Sequence, residues 1–232
     1  MKILLVSATA LEINPFVSSL GKAQLLNKHL SKYFYHDLEI DVLVTGVGMV
    51  FTAFYLGIQL NNQKYNLVIN AGVAGAIDKE LQLGEVVHVV QDYFYELGAE
   101  DNASWLSISD LGLLSNNDLP YTANGLTNQN FLNIPQLNSL KQVKAHTVNK
   151  VHGHLQSIEI MKQRSQAQIE SMEGAAFLFC CLKMDVPCVQ IRAISNYVEV
   201  RNKANWKMIE AVEGLNFELS EIFQNLLDIK MN

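Results

Sequence analysis

Two glutamates stand where a carboxylate could exchange protons with a bound small molecule. Glu12 lies shortly after the apolar run that opens the chain, and Glu173 directly precedes a run of small and apolar residues, Gly174–Cys181. A carboxylate in such a place can act as a general acid or base. Both positions also have a structural interpretation. Thr9 and Glu12 have the spacing of a helix capping box, and a carboxylate in the first turn of a helix compensates the helix dipole.

Four segments directly follow predicted strands, which is where open α/β sheets bind their ligands. They are Ala8–Glu12, Gly46–Met49, Gly72–Gly75 and Ser195–Asn196. The two glycine segments allow a ligand to approach the backbone and leave N–H groups free to bind oxygens. Neither is a nucleotide-binding fingerprint, because Phe51 stands where the dinucleotide motif needs glycine and the chain has no GK[ST] phosphate loop.

The elements that must position these residues alternate between strands and helices. Short apolar runs predict strands, and apolar residues that recur every three or four positions predict helices. The predicted strands are Ile3–Val6, Ile40–Val44, Leu67–Ala71, Glu85–Val90 and Pro187–Ala193, and the predicted helices are Leu11–Leu20, Val50–Leu60, Met172–Lys183 and Asn205–Ile229. This alternation indicates an α/β fold whose sheet is largely parallel and is covered by helices on both faces.

One long segment, Gly98–Pro135, lacks this alternation. It is rich in Asn, Ser, Asp, Gly and Leu and contains no Lys or Arg. Segments of this length without regular structure are usually lids, binding loops or oligomer contacts. A partly disordered surface excursion is the alternative interpretation.

Composition limits the class of protein and its partners. Of the 232 residues 49% are apolar and 17% charged, which predicts one domain over residues 1–232 and further surface buried in a homo-oligomer. A net charge of −6 without a Lys/Arg cluster makes nucleic acid a poor partner. No apolar run is long enough for a secretory signal or a membrane span, which predicts a cytoplasmic protein with no membrane partner. The three cysteines lie in apolar segments and are expected to be structural.

Several strings, taken together and in order, resemble the purine nucleoside phosphorylase and nucleosidase superfamily. They are ATALE near the start, INAGVAGAIDKELQLGEVV at 69–87, ESMEGAAFLFCC at 170–181 and VPCVQIRAISN at 186–196. Within the superfamily, RAISNYVEVRNKANW and TVNKVHGH look most like futalosine hydrolases. Methylthioadenosine/S-adenosylhomocysteine nucleosidases, or another purine nucleosidase, are the alternative. The resemblance implies a three-layer α/β/α fold around a central mixed, partly barrel-like sheet.

The resemblance also implies an enzyme that breaks the bond between ribose C1′ and a purine nitrogen, through a transition state with oxocarbenium character. Phosphorolysis needs cationic or amide donors around a phosphate, and family phosphorylases carry arginines after the first strand and before the small-residue turn. Here those places read SATALEIN and Ile69–Ala71, without arginine. Water is therefore the predicted nucleophile. The implied substrate is the nucleoside futalosine, an intermediate of menaquinone biosynthesis, and neither a cofactor nor a metal is expected.

Roles for individual residues follow from the same resemblance. Glu12 matches the glutamate that deprotonates the attacking water, and Glu173 matches the glutamate that holds the ribose hydroxyls. Met172 matches the methionine that packs against the ribose. The other substrate-binding candidates are Ala74, Gly75, Gly48, Asn149, His152 and Arg201.

Asn196 departs from the adenine-specific pattern, which has an aspartate at this position. An aspartic acid can protonate purine N7 and accept from a 6-amino group, whereas an amide offers one acceptor and two donors. Its carbonyl oxygen can accept from a protonated N7 while its NH₂ group donates to a 6-oxo group. Asn196 therefore predicts a hypoxanthine base.

Four further residues leave alternatives open. Val73 and Ser171 depart from the nucleosidase pattern, so no contact is carried over to them. His152 begins an H-x-H pair, but no other ligand stands at a familiar zinc spacing, and a contact to the base or the 5′ group is the expectation. Arg201 either meets a substrate carboxylate or is simply solvated.

Overall fold

The computed structural model describes residues 1–102, 104–115, 120–122, 125–128 and 132–231. Its strands are β1 (Lys2–Ser7), β2 (Gln24–Leu25), β3 (Leu30–Tyr35), β4 (Leu38–Val44), β5 (Leu67–Ala76), β6 (Val86–Asp92), β7 (Gly98–Asp101), β8 (Ser104–Ser107), β9 (Tyr121–Thr122), β10 (Gly125–Thr127), β11 (Lys141–Thr147), β12 (Ile169–Ser171) and β13 (Cys188–Tyr197). Its helices are α1 (Ala10–Ser19), α2 (Met49–Asn62), α3 (Pro135–Ser139), α4 (Leu155–Arg164), α5 (Gly174–Lys183) and α6 (Met208–Met231). Among these described helices, none combines the length and the apolarity needed to cross a membrane.

Five strands close into a barrel. β5 pairs with β12 and β13, β11 joins β12 to β6, and β6 pairs with β13, which completes the ring. Outside the ring, β1 pairs in parallel with β5 and β4, and β3 and β2 continue this open wing. The sheet is therefore mixed, as the family resemblance implies. It is not largely parallel, because β3, β12 and β13 each meet a neighbour in the antiparallel sense.

Helices cover both faces of the open wing. Successive side chains of a strand point to opposite faces, so Ile3 and Leu5 of β1 pack with α1, α3 and α6. Leu4 and Val6 of the same strand pack with α2 and α5 on the other face. A third apolar cluster draws residues from all five barrel strands. The three-layer α/β fold with a partly barrel-like sheet is thus confirmed.

The nine predicted elements are present, but two strands run further than predicted. Gly72–Gly75 belongs to β5 and Ser195–Asn196 belongs to β13, so neither is a turn after a strand. The two segments pair with each other in parallel, up to Tyr197 opposite Ala76. Their small residues are typical of a turn. The length of β5 is set instead by its pairing with β13, a strand that is distant in the sequence.

The segment Gly98–Pro135 has more regular structure than its sequence predicts. β7 and β8 form a hairpin, and β9 and β10 extend the main sheet from β6. Trp105 of the hairpin stacks on Arg164, whose guanidinium carbon lies 4.0 Å from the ring. Residues 103, 116–119, 123–124 and 129–131 lie outside the described residues, and a role as lid or subunit contact stays a prediction.

The three cysteines are core residues, as predicted. Cys180, Cys181 and Cys188 are buried and free. Burial raises the pKa of the Cys180 thiol to about 11, so this side chain stays a neutral thiol near neutral pH.

Candidate active site

A cavity of about 460 Å³ opens at the carboxyl ends of β1, β5, β12 and β13, within the size range of small-molecule sites. All four segments that the sequence analysis singled out contribute to its wall. Of the ten predicted site residues, seven line it, namely Glu12, Ala74, Gly75, Met172, Glu173, Asn196 and Arg201. The fold therefore brings together residues that are more than 180 positions apart in the chain.

Glu12 is held by hydrogen bonds from two strands and a helix cap. Its Oε2 accepts from Ser7 Oγ at 3.1 Å and from the backbone N–H and hydroxyl of Thr9, each at 2.9 Å. Its Oε1 accepts from the N–H of Val73 on β5 at 3.0 Å. Thr9 and Glu12 also form the capping box of α1. The capping interpretation is confirmed, and the contact that caps the helix also fixes the carboxylate in the wall of the cavity.

The helix that carries Glu12 is tied to the last helix of the chain. Pro15 lies inside α1, where its ring crowds the carbonyl of Leu11 and loosens the turn. Asn216 of α6 inserts into this turn: its Oδ1 accepts from the N–H of Phe16 at 2.8 Å and its Nδ2 donates to the carbonyl of Glu12 at 2.8 Å. One side chain thus bonds both to the N–H of Phe16 and to the carbonyl of Glu12, one turn earlier in the helix.

Glu173 is the N-cap residue of α5 and is buried, with 8% of its surface exposed. Its Oε1 accepts from the N–H of Gly48 at 2.9 Å. Gly48 has φ +104°, a backbone conformation that glycine adopts without strain. Burial raises the pKa of Glu173, and the charge of Arg192 and the N–H of Gly48 partly oppose this rise. Gly48 therefore acts on the site through Glu173.

Arg192 is a site residue that the sequence analysis did not assign. It lies on β13 with 1% of its surface exposed. Its Nη2 donates to Oδ1 of Asn70, and its Nη1 donates to the carbonyl of Ile191 at 3.1 Å. Burial lowers the pKa of this guanidinium, whereas the charges of Glu173 and Glu12 raise it. Arg192 is thus the buried cation that compensates the two cavity carboxylates.

Arg192 reaches Glu12 across Gly72, its register partner on β5. A Cβ added at Gly72 would lie 3.0 Å from Glu12 Oε1 and 3.4 Å from Arg192 Nη1, so a glycine is what allows the two side chains to approach. One sequence signal was available: Arg192 is the only Lys or Arg inside the five predicted strands.

Asn196 and Arg201 line the same cavity as Glu12. Asn196 Oδ1 accepts from Ser195 Oγ, and its Nδ2 donates to the carbonyl of Tyr197, both at 2.9 Å. One N–H and one acceptor position of the amide remain for a ligand. The exposed Arg201 lies over Trp206, with 5.1 Å between the guanidinium carbon and the ring centre.

Three predicted residues do not line the main cavity. Gly48 touches the site only through Glu173, as described above. Asn149 is exposed, is paired with Glu96, and belongs to a separate cavity of about 220 Å³. His152 lines a small neighbouring cavity of about 60 Å³, which shares Asn196 with the main one.

A buried network stands behind His152. Glu170 Oε2 is hydrogen-bonded to His146 Nε2 at 3.0 Å and to His152 Nδ1. Glu170 Oε1 accepts from the backbone N–H of His152 at 2.9 Å. One atom of each of these three side chains lies close enough to the others to reach a common metal ion, but in this structure both imidazoles converge on one carboxylate oxygen. The geometry is that of a hydrogen-bonded network.

Comparison with known proteins agrees with this architecture. A family model described as "Phosphorylase superfamily" matches residues 2–120. A futalosine hydrolase of Thermus thermophilus is 31% identical over 75% of this chain and 76% of its own length. A 5′-methylthioadenosine/S-adenosylhomocysteine nucleosidase of Buchnera aphidicola is 23% identical over 87% of this chain and 86% of its own length.

A solved structure shares the fold over nearly its whole length. The S-adenosylhomocysteine nucleosidase of Streptococcus pyogenes, crystallised with 5-methylthiotubericidin, has a TM-score of 0.80 at 22% identity and covers 97% of both chains. The family match extends over just over half of the chain, and the Thermus relative covers three quarters of it. This chain therefore belongs to the phosphorylase superfamily.

Proposed function

We propose that this protein is a purine nucleosidase that hydrolyses the N-ribosidic bond of futalosine and releases hypoxanthine and dehypoxanthine futalosine. The observation that carries the proposal is the presence of Glu12 and Glu173 in one cavity, with the buried Arg192 close to both. One carboxylate can activate the attacking water, and the other can stabilise the positive charge that develops on the sugar.

Glu12 is the general base in this proposal. Its four protein donors hold the carboxylate in one orientation towards the cavity. A water molecule bound to Glu12 gives up a proton to it as the water oxygen attacks ribose C1′. Positioning of this kind is a large part of what a general base contributes.

Glu173 holds the ribose hydroxyls, and Met172 packs against the sugar. A hydrogen bond from a ribose hydroxyl to a carboxylate strengthens as positive charge develops on the ring, which stabilises the transition state more than the ground state. Gly48 keeps Glu173 in place through its backbone N–H.

The charge of the cavity favours water over phosphate as the nucleophile. Among the described residues that line it, three are carboxylates, Glu12, Glu170 and Glu173, and Arg201 is the single cation. Arg192 lies behind this wall and is already engaged with Asn70. The net negative charge of the cavity would repel a phosphate ion, whereas a water molecule is neutral and would not be repelled.

Asn196 supports a hypoxanthine base, and the Thermus relative supports futalosine in particular. A hypoxanthine nucleoside presents a 6-oxo group, which the amide NH₂ can bind. Futalosine also has a carboxylate, and Arg201 is its proposed partner at the cavity edge. The reaction would then belong to menaquinone biosynthesis, in the cytoplasm.

The second candidate is a methylthioadenosine/S-adenosylhomocysteine nucleosidase. The Buchnera relative covers more of this chain than the Thermus relative does, and this favours the second candidate. The two candidates differ at the base, since an adenine-specific site needs an acid where Asn196 stands.

The two functions are distinguished by the base that is released. The purified protein would be incubated in phosphate-free buffer with futalosine, inosine or methylthioadenosine, and the released base identified by chromatography. We expect hypoxanthine from futalosine. Adenine from methylthioadenosine would support the second candidate, and release of base only after phosphate is added would contradict hydrolysis.

We also propose that the protein is a homo-oligomer. An apolar stripe on α2, made of Val50, Phe51, Phe54 and Ile58, is 46–75% exposed. Exposed apolar patches of this kind are typical of protein interfaces.

A further inference from the structure

We propose that His152 is the general acid that protonates the departing purine. The inference rests on the proposed nucleosidase function and supplies a group that this function needs. A purine anion is a poor leaving group near neutral pH, so an acid accelerates its departure. Asn196 cannot be that acid, because an amide has no acidic proton to give at this pH.

His152 is placed beside Asn196. Both line the small cavity of about 60 Å³, and this cavity opens beside the larger one that contains Glu12 and Glu173. Gly75, Glu170 and Asn196 belong to the walls of both cavities. The imidazole therefore lies in the same wall as the amide that is proposed to bind the base.

Glu170 fixes the His152 ring through two contacts. The backbone N–H of His152 donates to Oε1 at 2.9 Å, and the ring Nδ1 lies against Oε2. Burial alone would raise the pKa of Glu170, but hydrogen bonds from His146 and His152 outweigh burial and bring it to about 2. Glu170 is therefore an anion that accepts only, and Nδ1 must carry a hydrogen. Among the described residues none bonds to Nε2, which is left for a ligand.

His146 supports Glu170 without neutralising it. Its Nε2 donates to Glu170 Oε2 at 3.0 Å, and its Nδ1 pairs with Ser165 Oγ at 2.8 Å. Burial lowers the pKa of His146 despite the neighbouring carboxylate, so this imidazole is neutral. The negative charge of Glu170 therefore lies against the His152 ring. Glu170 and His146 are positioning residues.

Other charged and titratable groups face His152 from the elements around it. Glu199 and Arg201, from the segment after β13, line the same small cavity. Tyr95, from the segment after β6, meets the His152 ring edge-on at 5.2 Å, and Arg164 of α4 lies over Tyr95. Burial raises the pKa of Tyr95, so its phenol is neutral, and Glu170 is the anion that contacts the imidazole.

The step balances as follows. The C1′–N9 bond breaks and its electron pair stays with the purine, which takes the Nε2 proton of His152. The C1′–O bond forms from water, whose proton goes to Glu12. Each turnover leaves Glu12 with one proton more and His152 with one proton fewer, and exchange with solvent restores both.

The test compares two substrates in one variant, His152→Asn. The Nδ2 atom of the new asparagine would lie close to the position of the imidazole Nδ1, so the hydrogen bond to Glu170 is kept. The acidic Nε2–H group of the histidine is lost. Substrates would be inosine or futalosine, whichever the wild type cleaves faster, and the 7-methyl derivative of the same nucleoside. The methyl group gives the purine a fixed positive charge, and the base leaves without a proton from the enzyme.

We expect His152→Asn to lower kcat on the unmethylated nucleoside about a hundredfold or more and to leave kcat on the 7-methyl nucleoside within about threefold of wild type. Glu170→Gln, which removes the charge, should show the same selectivity to a smaller degree. His154→Ala is the matched control, an exposed histidine two residues away, and should change neither rate.

Equal loss on both substrates, or loss on neither, would overturn the acid role while leaving the nucleosidase function intact. Wild-type protein that releases no hypoxanthine from any nucleoside would instead overturn the proposed function. Loss of wild-type activity in EDTA with recovery on added zinc would show that the histidines hold a metal, and would also overturn the acid role.

Discussion

Glu12 accepts four hydrogen bonds and still faces the cavity, so its position is fixed before any substrate binds. Glutamine has nearly the same shape but turns one acceptor into a donor that must face protein N–H or O–H groups. The substitution therefore tests charge and basicity more than size.

Glu12→Gln should lower kcat at least about a hundredfold, because the water loses its base, while the dissociation constant of a non-cleavable substrate analogue changes little. Steady-state kinetics and calorimetry would measure the two quantities. Glu213→Gln, at an exposed position on α6, is the control. An unchanged kcat would remove Glu12 from the mechanism.

Asn196→Asp should move the preference of the enzyme towards 6-amino purines, because the new acid can serve N7 and accept from the amino group. We expect the ratio of kcat/KM for methylthioadenosine over futalosine to rise about tenfold or more. Asn202→Asp adds the same charge at the wall of the adjoining cavity and should leave the ratio in place. If both variants raise this kcat/KM ratio equally, the effect comes from the added charge and not from hydrogen bonding between residue 196 and the base.

Helix α1 depends on α6 for its geometry. Asn216→Ala would leave the N–H of Phe16 and the carbonyl of Glu12 without their partner, and should reduce the free energy of unfolding by about 2–4 kcal/mol. It should also lower kcat, because the turn that carries Glu12 is released. Urea unfolding and kinetics would measure both, with the exposed Asn14→Ala on α1 as the control. A stable variant with a normal kcat would contradict this coupling.

Strands β11 and β12 place His146 and Glu170 opposite each other in register, and this pairing makes stability depend on pH. The folded pKa of Glu170, about 2, lies below its ordinary value of 4.5. A lowered carboxyl pKa means stability that is present above pH 4.5 and lost as pH falls towards 2. The shift corresponds to about 3 kcal/mol at neutral pH.

Glu170→Gln should therefore be less stable than wild type at pH 7, with a difference that shrinks as pH falls from about 4.5 to 2. Urea unfolding at pH 7 and pH 3 would measure the two differences. Glu159→Gln, exposed on α4, should show no such trend. A difference that is equal at both pH values would mean that Glu170 does not titrate as its surroundings indicate.

The sequence predicts the elements that are built from local apolar patterns, and it predicts the two carboxylates through their motifs. It does not predict contacts that depend on register between distant strands. Arg192 meets Gly72 only because the barrel closes, and Glu170 meets His146 and His152 only because β11 and β12 lie side by side. The motif that contains Asn149 predicts that this residue binds substrate, but its side-chain amide donates to Glu96 instead.

At the scale of the whole molecule, low charge and the exposed stripe on α2 point to self-association. Light scattering at micromolar concentration should give a mass at least twice the 26.0 kDa of one chain. Phe54→Lys, at the centre of the stripe, should shift the mass towards that of a monomer. Phe34→Lys, at an equally exposed phenylalanine on β3, should not. A monomeric wild type would contradict the proposal.

The barrel also sets the order in which the nascent chain can complete its structure. β13 lies between β5 and β6 in space, but it follows every other described strand in the chain, and α6 follows it. During translation β5 and β6 must wait with unpaired edges, which are exposed to aggregation and to chaperones. Neither the cavity nor the tie from Asn216 to the Glu12 turn can form before β13 and α6 have emerged, so a product truncated before β13 would lack the cavity.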